Sequence, residues 1–107
     1  MKITQEKVND FQIFYLDGRL DTTNYSETEK VLLEQIQHHP KIVIECSKLT
    51  YISSSGLRVF LIALKAIQKQ NGEIRLANLT NPIFEIFNTA GFSGLFSIFS
   101  SLEEAIM

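Results

Sequence analysis

Three consecutive serines and a glycine, Ser53-Ser54-Ser55-Gly56, are the residues of this sequence whose types and spacing best suit a chemical role. They lie between a run typical of a buried strand and the most apolar helical stretch of the chain. One serine can cap the first amides of a helix and stabilise it by about 1 kcal/mol. Two further hydroxyls are then left without a structural task. The free amides and the dipole of a helix start also favour an anion, so a phosphorylated serine is physically tolerable at this junction.

Arg58 follows within the first turn of the predicted helix. A cation at that end opposes the helix dipole unless it meets an anion or an acidic partner. The alternative is a solvated side chain that extends away from the helix into water. Both interpretations stay open from the sequence.

Other site chemistry finds little support in the sequence. His38 and His39 are adjacent at a predicted helix end, where side chains diverge, so they indicate neither a catalytic base nor a metal site. No Gly-x-Ser-x-Gly segment is present, and the serine-rich turn lacks the lysine and glycine spacing of a phosphate-binding loop. Cys46 lies in an apolar run and is interpreted as a buried, inert thiol. We therefore expect no enzyme activity, no metal and no resident cofactor.

Five phenylalanines in the last quarter of the chain suit core packing, although an exposed subset could form a docking patch instead. These residues are Phe84, Phe87, Phe92, Phe96 and Phe99.

The composition indicates one packed globular domain over residues 1–107, since 45% of the residues are hydrophobic and 21% charged. Ten basic and twelve acidic side chains give a formal net charge of -2, so no general attraction to nucleic acid is expected. The N-terminus turns polar too early for a secretory signal, and no stretch approaches the ~20 apolar residues that cross a bilayer. These features predict a cytosolic protein with no membrane partner.

Hydrophobic periodicity predicts strands and helices that alternate after an opening hairpin. The expected strands are 3–8, 12–16, 41–46, 73–77 and 95–99, and the expected helices are 24–37, 57–70, 81 to about 91, and a short one capped by Ser100 and Glu103. Alternation of this kind implies right-handed crossovers. The predicted fold class is α/β, with a mostly parallel mixed sheet opened by an N-terminal β-hairpin and about four helices.

With these residues in view, the sequence resembles a STAS domain of the bacterial anti-sigma factor antagonist type over nearly its whole length. The segment 17–21, Asp-Gly-Arg-Leu-Asp, resembles the family's Gly-x-Leu-Asp loop after the second strand. The segment 44–47, Ile-Glu-Cys-Ser, resembles its Leu-Asp-Leu-Ser strand. The segment 52–57 resembles its Asp-Ser-Ser/Thr-Gly-Leu phosphorylation loop, which is the most specific of the three.

The resemblance implies a phospho-acceptor at Ser54, a following hydroxyl at Ser55, a partner-facing leucine at Leu57 and a loop acid at Asp21. The full set of partner-binding residues that it implies is Asp21, Thr22, Ser53, Ser55, Gly56, Leu57 and Arg58. Two residues depart from the family pattern. Ser53 stands where the family usually has aspartate before the acceptor, and Glu45 replaces the strand aspartate.

A family member of this type would bind an anti-sigma factor while Ser54 is unmodified and so release a sigma factor. The anti-sigma factor, itself a serine kinase, would supply ATP and phosphorylate Ser54, and a serine phosphatase would reverse the modification. The alternative is an interaction or scaffold module of the same fold that works without phosphorylation, and Ser53 in place of aspartate favours it.

Overall fold

The protein is described by a computed structural model that covers all of residues 1–107. Its strands are β1 (Lys2–Val8), β2 (Phe11–Leu20), β3 (Lys41–Ile52), β4 (Glu73–Ala77) and β5 (Ser97–Phe99). Its helices are α1 (Tyr25–Ile36), α2 (Ser54–Lys69), α3 (Asn81–Thr89) and α4 (Leu102–Ala105).

The five strands form one sheet in the order β1-β2-β3-β4-β5, so every strand pairs with its neighbour in sequence. β1 pairs with β2 in antiparallel fashion, and the other three pairings are parallel. Each parallel pairing is connected through a helix, as parallel strands require. The α/β fold with an opening hairpin, a mostly parallel mixed sheet and four helices is thereby confirmed.

The hydrophobic core is divided by the sheet into a large and a small cluster. The large cluster joins alternate side chains of the central strands, such as Phe14 and Ile44, to the buried faces of α1, α2 and α3. The small one lies on the opposite face, where α4 places Ala105 over Ile13 and Val43. These two faces reflect the period of two in strand side chains. Most of the apolar surface is therefore buried on the face that also supports α2.

Two strands extend further than the sequence pattern predicts, β2 to Leu20 and β3 to Ile52. The expectation that the segment 17–21 forms a loop was wrong for its first four residues, which continue β2. The pairing of these strands shifts register twice, between Tyr15 and Asp17 and between Gly18 and Arg19. Gly18 has a φ of 117°, which a residue with a side chain rarely adopts. These irregularities break the alternation of apolar and polar residues. The sequence pattern alone therefore places the ends of β2 and β3 too early.

The last two elements also differ in their bounds from the sequence prediction. β5 starts at Ser97 instead of residue 95, and the cap of α4 is Ser101, whose hydroxyl accepts a hydrogen bond from the Glu104 amide at 3.1 Å. The capping box assigned to Ser100 and Glu103 was therefore wrong by one residue. Ser100 instead donates its hydroxyl to the Glu104 carboxylate at 2.6 Å. Ser100 and Ser101 are equally suited by residue type to cap α4, and in the structure Ser101 is the cap.

Four phenylalanines form an aromatic cluster beneath α2 and α3. Phe87 is the centre of this cluster, with ring centroids 5.2 Å from Phe60, 6.1 Å from Phe96 and 6.4 Å from Phe92, all in edge-to-face geometry. Edge-to-face contacts are favourable because the positive ring edge meets the negative ring face. The predicted core role is confirmed for Phe87 and Phe96, which are buried. Phe84 is 36% exposed and lies outside the cluster.

The lone cysteine, Cys46, is fully buried in the large cluster, as predicted. Burial, and secondarily the nearby Glu45 charge, raises the pKa of its thiol well above the usual range. The longest helix, α2, has 16 residues, and none of the four helices combines the length and apolarity of a membrane span.

Candidate functional site

The helix start singled out by the sequence lies at the carboxyl ends of β2 and β3. Ser53 is the N-cap of α2, with an extended backbone, and its hydroxyl oxygen accepts a hydrogen bond from the Gly56 amide at 3.2 Å. Its own amide donates to the Leu20 carbonyl at 3.0 Å. This last bond joins the start of α2 to the end of β2. The loop after Leu20 and the serine segment therefore lie together at the carboxyl ends of the strands.

The three serines differ in how their hydroxyls are used. The hydroxyls of Ser53 and Ser55 are hydrogen-bonded to each other at 2.9 Å, and Ser53 also caps the helix. Ser54 is the first residue of α2 and is exposed, and its hydroxyl has no partner within the chain. Only Ser54 presents a hydroxyl that can react or dock without breaking a hydrogen bond. Ser53, whose hydroxyl caps α2, is therefore less suited than Ser54 to act as an acceptor.

Gly56 is required by close packing between α2 and the strand ends. A Cβ at this residue would lie 2.8 Å from a side-chain carbon of Ile52 and 2.9 Å from the Leu20 carbonyl oxygen. Both distances are shorter than real Cβ contacts allow, so only glycine permits this approach. The glycine is buried and sets how near the serines lie to the β2 end. It therefore shapes the site without offering a group to a partner.

Leu57 lies largely inside the protein, which differs from the expectation of a leucine that faces a partner. It is 7% exposed and belongs to the large hydrophobic cluster. The amphipathic pattern of α2 turns this side chain towards the sheet, and its amide donates to the Ser53 carbonyl at 2.9 Å. Only its edge reaches the surface, where it forms part of a groove wall.

The loop acid Asp21 is held rigidly at the end of β2. One oxygen of its carboxylate accepts hydrogen bonds from the Thr23 hydroxyl at 2.6 Å and the Thr23 amide at 3.0 Å. These bonds, aided by Arg19 at 3.5 Å, lower the pKa of the Asp21 carboxyl, so it is ionised at neutral pH. Thr22 next to it is exposed. Asp21 and Thr22 thus form a fixed turn that carries the Asp21 carboxylate, at the same carboxyl ends of the strands as Ser53.

Two open grooves meet at Ser54. The first, about 420 Å³, lies between α2 and α3 and is mostly apolar; it is lined by Ser54, Leu57, Glu85, Ile86, Thr89 and Ala90. The second, about 470 Å³, lies between α1 and α2; it is lined by Tyr25, Glu29, Ser54, Ser55, Arg58 and Ile62. Ser54 is shared by both grooves and forms the ridge between them. A partner that covers this ridge must contact its hydroxyl.

The charges around this ridge are mixed. Glu29 and Glu85 line the two grooves, while Arg58 is exposed and forms no ion pair within the chain. The solvated side chain considered for Arg58 is thus what the structure shows, although the guanidinium stays available to an external acid. One added negative charge at Ser54 would stand between two glutamates and one free arginine.

Sequence reasoning missed the α1 and α3 residues of the grooves. Tyr25 and Glu29 on α1 are four residues apart, as are Glu85 and Thr89 on α3, so each pair faces the same side of its helix. That spacing was visible in the sequence. What it could not show is that both faces turn towards the start of α2, because this depends on how the helices pack.

Replacing the capping serine tests the distinction between the three hydroxyls. We expect Ser53→Ala to lower the free energy of unfolding by about 1 kcal/mol, because the Gly56 amide and Ser55 hydroxyl lose their partner. Ser54→Ala should change stability by less than about 0.5 kcal/mol, as typical surface substitutions do. Urea denaturation of both variants measures the difference. Equal losses would contradict the hydrogen bonding described here.

Comparison with known proteins finds one matching domain family and several similar proteins. The profile of the STAS domain matches residues 2–105. BtrV of Bordetella bronchiseptica, whose assigned role is anti-sigma factor antagonist, is 33% identical over 106 residues, with 98% of this chain and 91% of BtrV covered. A Thermotoga maritima protein with the same assigned role superposes with a TM-score of 0.92 at 20% identity, covering 97% of this chain and 91% of that one. Phosphorylated SpoIIAA of Bacillus superposes with a TM-score of 0.76 at 20% identity, covering 98% and 96%.

Proposed function

The chain belongs to the STAS domain family, and on that premise we propose that it is an anti-sigma factor antagonist controlled by phosphorylation of Ser54. In the unmodified state it binds an anti-sigma factor and thereby frees a sigma factor. In the phosphorylated state it releases that partner. The proposal is supported by a relative with this assigned role at 33% identity and by the solved phosphorylated form of the structurally similar SpoIIAA.

The observation that carries the proposal is the exposed, unbonded hydroxyl of Ser54 on the ridge between two grooves. A kinase can reach this hydroxyl without unfolding the helix start. A binding partner that fills either groove would bury it. Because the proposed partner is also the kinase, docking over this ridge would bring the Ser54 hydroxyl to the kinase, and the added phosphate would then lie in the contact surface.

Phosphorylation would oppose binding by electrostatics and fit. A phosphoserine brings about -1.5 to -2 charges into a contact that accepts a small neutral hydroxyl. Glu85 makes the first groove partly negative, and in the second groove Glu29 stands with Arg58. The added charge would lose its hydration in the interface, which costs free energy unless a cation of the partner meets it. The domain itself need not change conformation for the switch to operate.

The chain acts in this proposal as substrate and ligand and performs no catalysis. ATP is supplied by the anti-sigma factor, which serves as the serine kinase, and a serine phosphatase restores the binding state. Asp21, Thr22 and Arg58 are proposed as partner contacts around the acceptor, while Ser53, Ser55 and Gly56 hold the helix start in place.

Phosphate transfer to single-serine variants tests the acceptor. The protein is incubated with ATP and the anti-sigma factor kinase of the same genome, and its intact mass is measured. We expect one added phosphate on the wild type, on Ser53→Ala and on Ser55→Ala, and none on Ser54→Ala, because only the Ser54 hydroxyl is free. Phosphate on Ser54→Ala, or a wild type that binds the kinase and gains no phosphate, would contradict the proposal.

A second candidate function is a STAS interaction or scaffold module that binds its partner without phosphorylation. Ser53 in place of the family's aspartate favours it, since Ser53 is committed to capping and offers no carboxylate beside the acceptor. Partner binding by the wild type with no phosphate gained after incubation with ATP is the result that would favour this function.

A further inference from the structure

The outer edge of the sheet is formed by β1, which has no partner on its second side. β1 pairs with β2 through seven consecutive residue pairs with no bulge. It contains no proline, and five of its seven residues are exposed. Natural proteins usually protect such an edge with bulges, proline, charges or a covering element, because its free amides and carbonyls can pair with another strand. Charged side chains are the only protection on β1.

The charges of β1 disfavour some antiparallel self-pairings and favour one. In an antiparallel pairing of two copies, placing Lys2 opposite Lys2 sets like charges together, and so does placing Glu6 opposite Glu6. A pairing centred on Thr4 instead sets Lys2 of each copy opposite Glu6 of the other. It also sets Thr4 opposite Thr4, and such pairs and opposite charges are favourable across strands. The charge pattern therefore selects a register instead of blocking all of them.

The side chains of Lys2 and Glu6, which this register pairs with each other, are available in the structure. Lys2 forms no ion pair within the chain. One oxygen of Glu6 accepts a hydrogen bond from the Tyr15 hydroxyl at 2.6 Å, and the other oxygen has no partner. Burial, and next the Glu6 contact, raises the pKa of Tyr15 to about 12, so the phenol stays protonated and keeps holding the carboxylate at neutral pH. Glu6 is thus fixed with one oxygen open to a cation.

The neighbouring elements leave room for a second copy. Gln5 and Lys7 lie on the helix side of β1 and are exposed, so α1 does not cover this edge. On the opposite side, Lys2, Thr4 and Glu6 are also exposed. Neither face of β1 therefore blocks a second β1 from approaching the free edge in the plane of the sheet.

We propose that the β1 edge binds a second copy of this chain in antiparallel register centred on Thr4, which joins the two sheets into one continuous sheet of ten strands. We infer that the partner is a second copy because, in this register, the charges of one β1 are complementary to those of another. A contact of one strand pair buries less area than a standard interface of about 1,600 Å². We therefore expect a weak dimer, with a dissociation constant of about tens to hundreds of micromolar. The inference is independent of the function proposed for Ser54.

Sedimentation equilibrium of the full chain, over about 10 µM to about 1 mM, tests the proposal through charge reversal. The wild type should shift from monomer to dimer. Lys2→Glu and Glu6→Lys should each weaken association at least about tenfold, because each creates two like-charge pairs per dimer. The double variant, Lys2→Glu with Glu6→Lys, should recover it.

Lys7→Glu is the matched control, since it makes the same charge change on the other side of β1, opposite Met1 in this register. It should not weaken association by more than about threefold, because the new carboxylate lies opposite no acidic group. A wild type that remains monomeric, a double variant no better than the single ones, or a Lys7→Glu variant that fails equally would overturn the proposal. Thermal unfolding of every variant distinguishes lost association from lost folding.

Discussion

Ser54→Asp is expected to weaken binding to the anti-sigma factor by roughly 30-fold to several thousand-fold, which corresponds to about 2 to 5 kcal/mol. The carboxylate would sit on the ridge between the two grooves, where a partner must remove its water. Desolvation would also strengthen its repulsion by Glu85 in the first groove, whereas Arg58 in the second groove would offset part of the cost. Isothermal titration with the purified anti-sigma factor measures the change directly.

Two variants separate the effect of charge from that of size at this residue. Ser54→Ala should bind within about threefold of the wild type, because the hydroxyl has no internal role. Ser54→Asn matches aspartate in shape and carries no charge, so it should fall much closer to Ser54→Ala. An acidic residue in the first helical turn favours the dipole, so Ser54→Asp should fold at least as stably as the wild type. Equal affinities for the aspartate and asparagine variants would refute an electrostatic switch.

Phe87→Ala should lower the free energy of unfolding by about 3 to 5 kcal/mol, the range for a fully buried phenylalanine. Phe87 is 0% exposed and contacts three other rings, so its removal leaves a cavity that the cluster cannot refill. Total stabilities of small domains are about 5 to 15 kcal/mol, and this single change would remove a large share. Urea unfolding followed by far-ultraviolet circular dichroism measures the loss.

Phe84 provides the internal comparison for this change on the same helix. It is 36% exposed and belongs to no aromatic pair, so Phe84→Ala should cost less than about 1 kcal/mol. Similar losses at Phe84 and Phe87 would mean that the aromatic cluster is not the source of the stability.

The order and type of the elements were predictable because each one has a strong local signal. The interior strand at Ile42 to Ile44 is β-branched and apolar, and the stripe of α2 repeats at helical spacing, so periodicity alone separates them. The ends of β2 and β3 were not predictable. Their final residues pair across register shifts near Gly18, and a bulge hides strand residues from any pattern of alternation.

The candidate site shows the same division between local and tertiary information. The location of the serine segment at a helix start follows from its flanking runs. The different roles of the three serines do not, because they depend on which hydroxyl faces the Gly56 amide and which faces water. The groove walls from α1 and α3 depend entirely on helix packing. Resemblance to a family supplied the acceptor residue, and geometry supplied the reason why its two neighbours are less suited.

The sequential order of the five strands has a consequence for how the chain folds during synthesis. Each new strand adds to an edge that already exists, so no strand has to insert between two others. Each parallel pairing closes a loop that contains one helix, instead of a loop that spans most of the chain. The growing polypeptide can therefore build its sheet outwards from the ribosome exit, one unit at a time, without waiting for its carboxyl terminus. The phenylalanine cluster, which needs α3 and the segment before β5, and the small core cluster, which needs α4, close at the end.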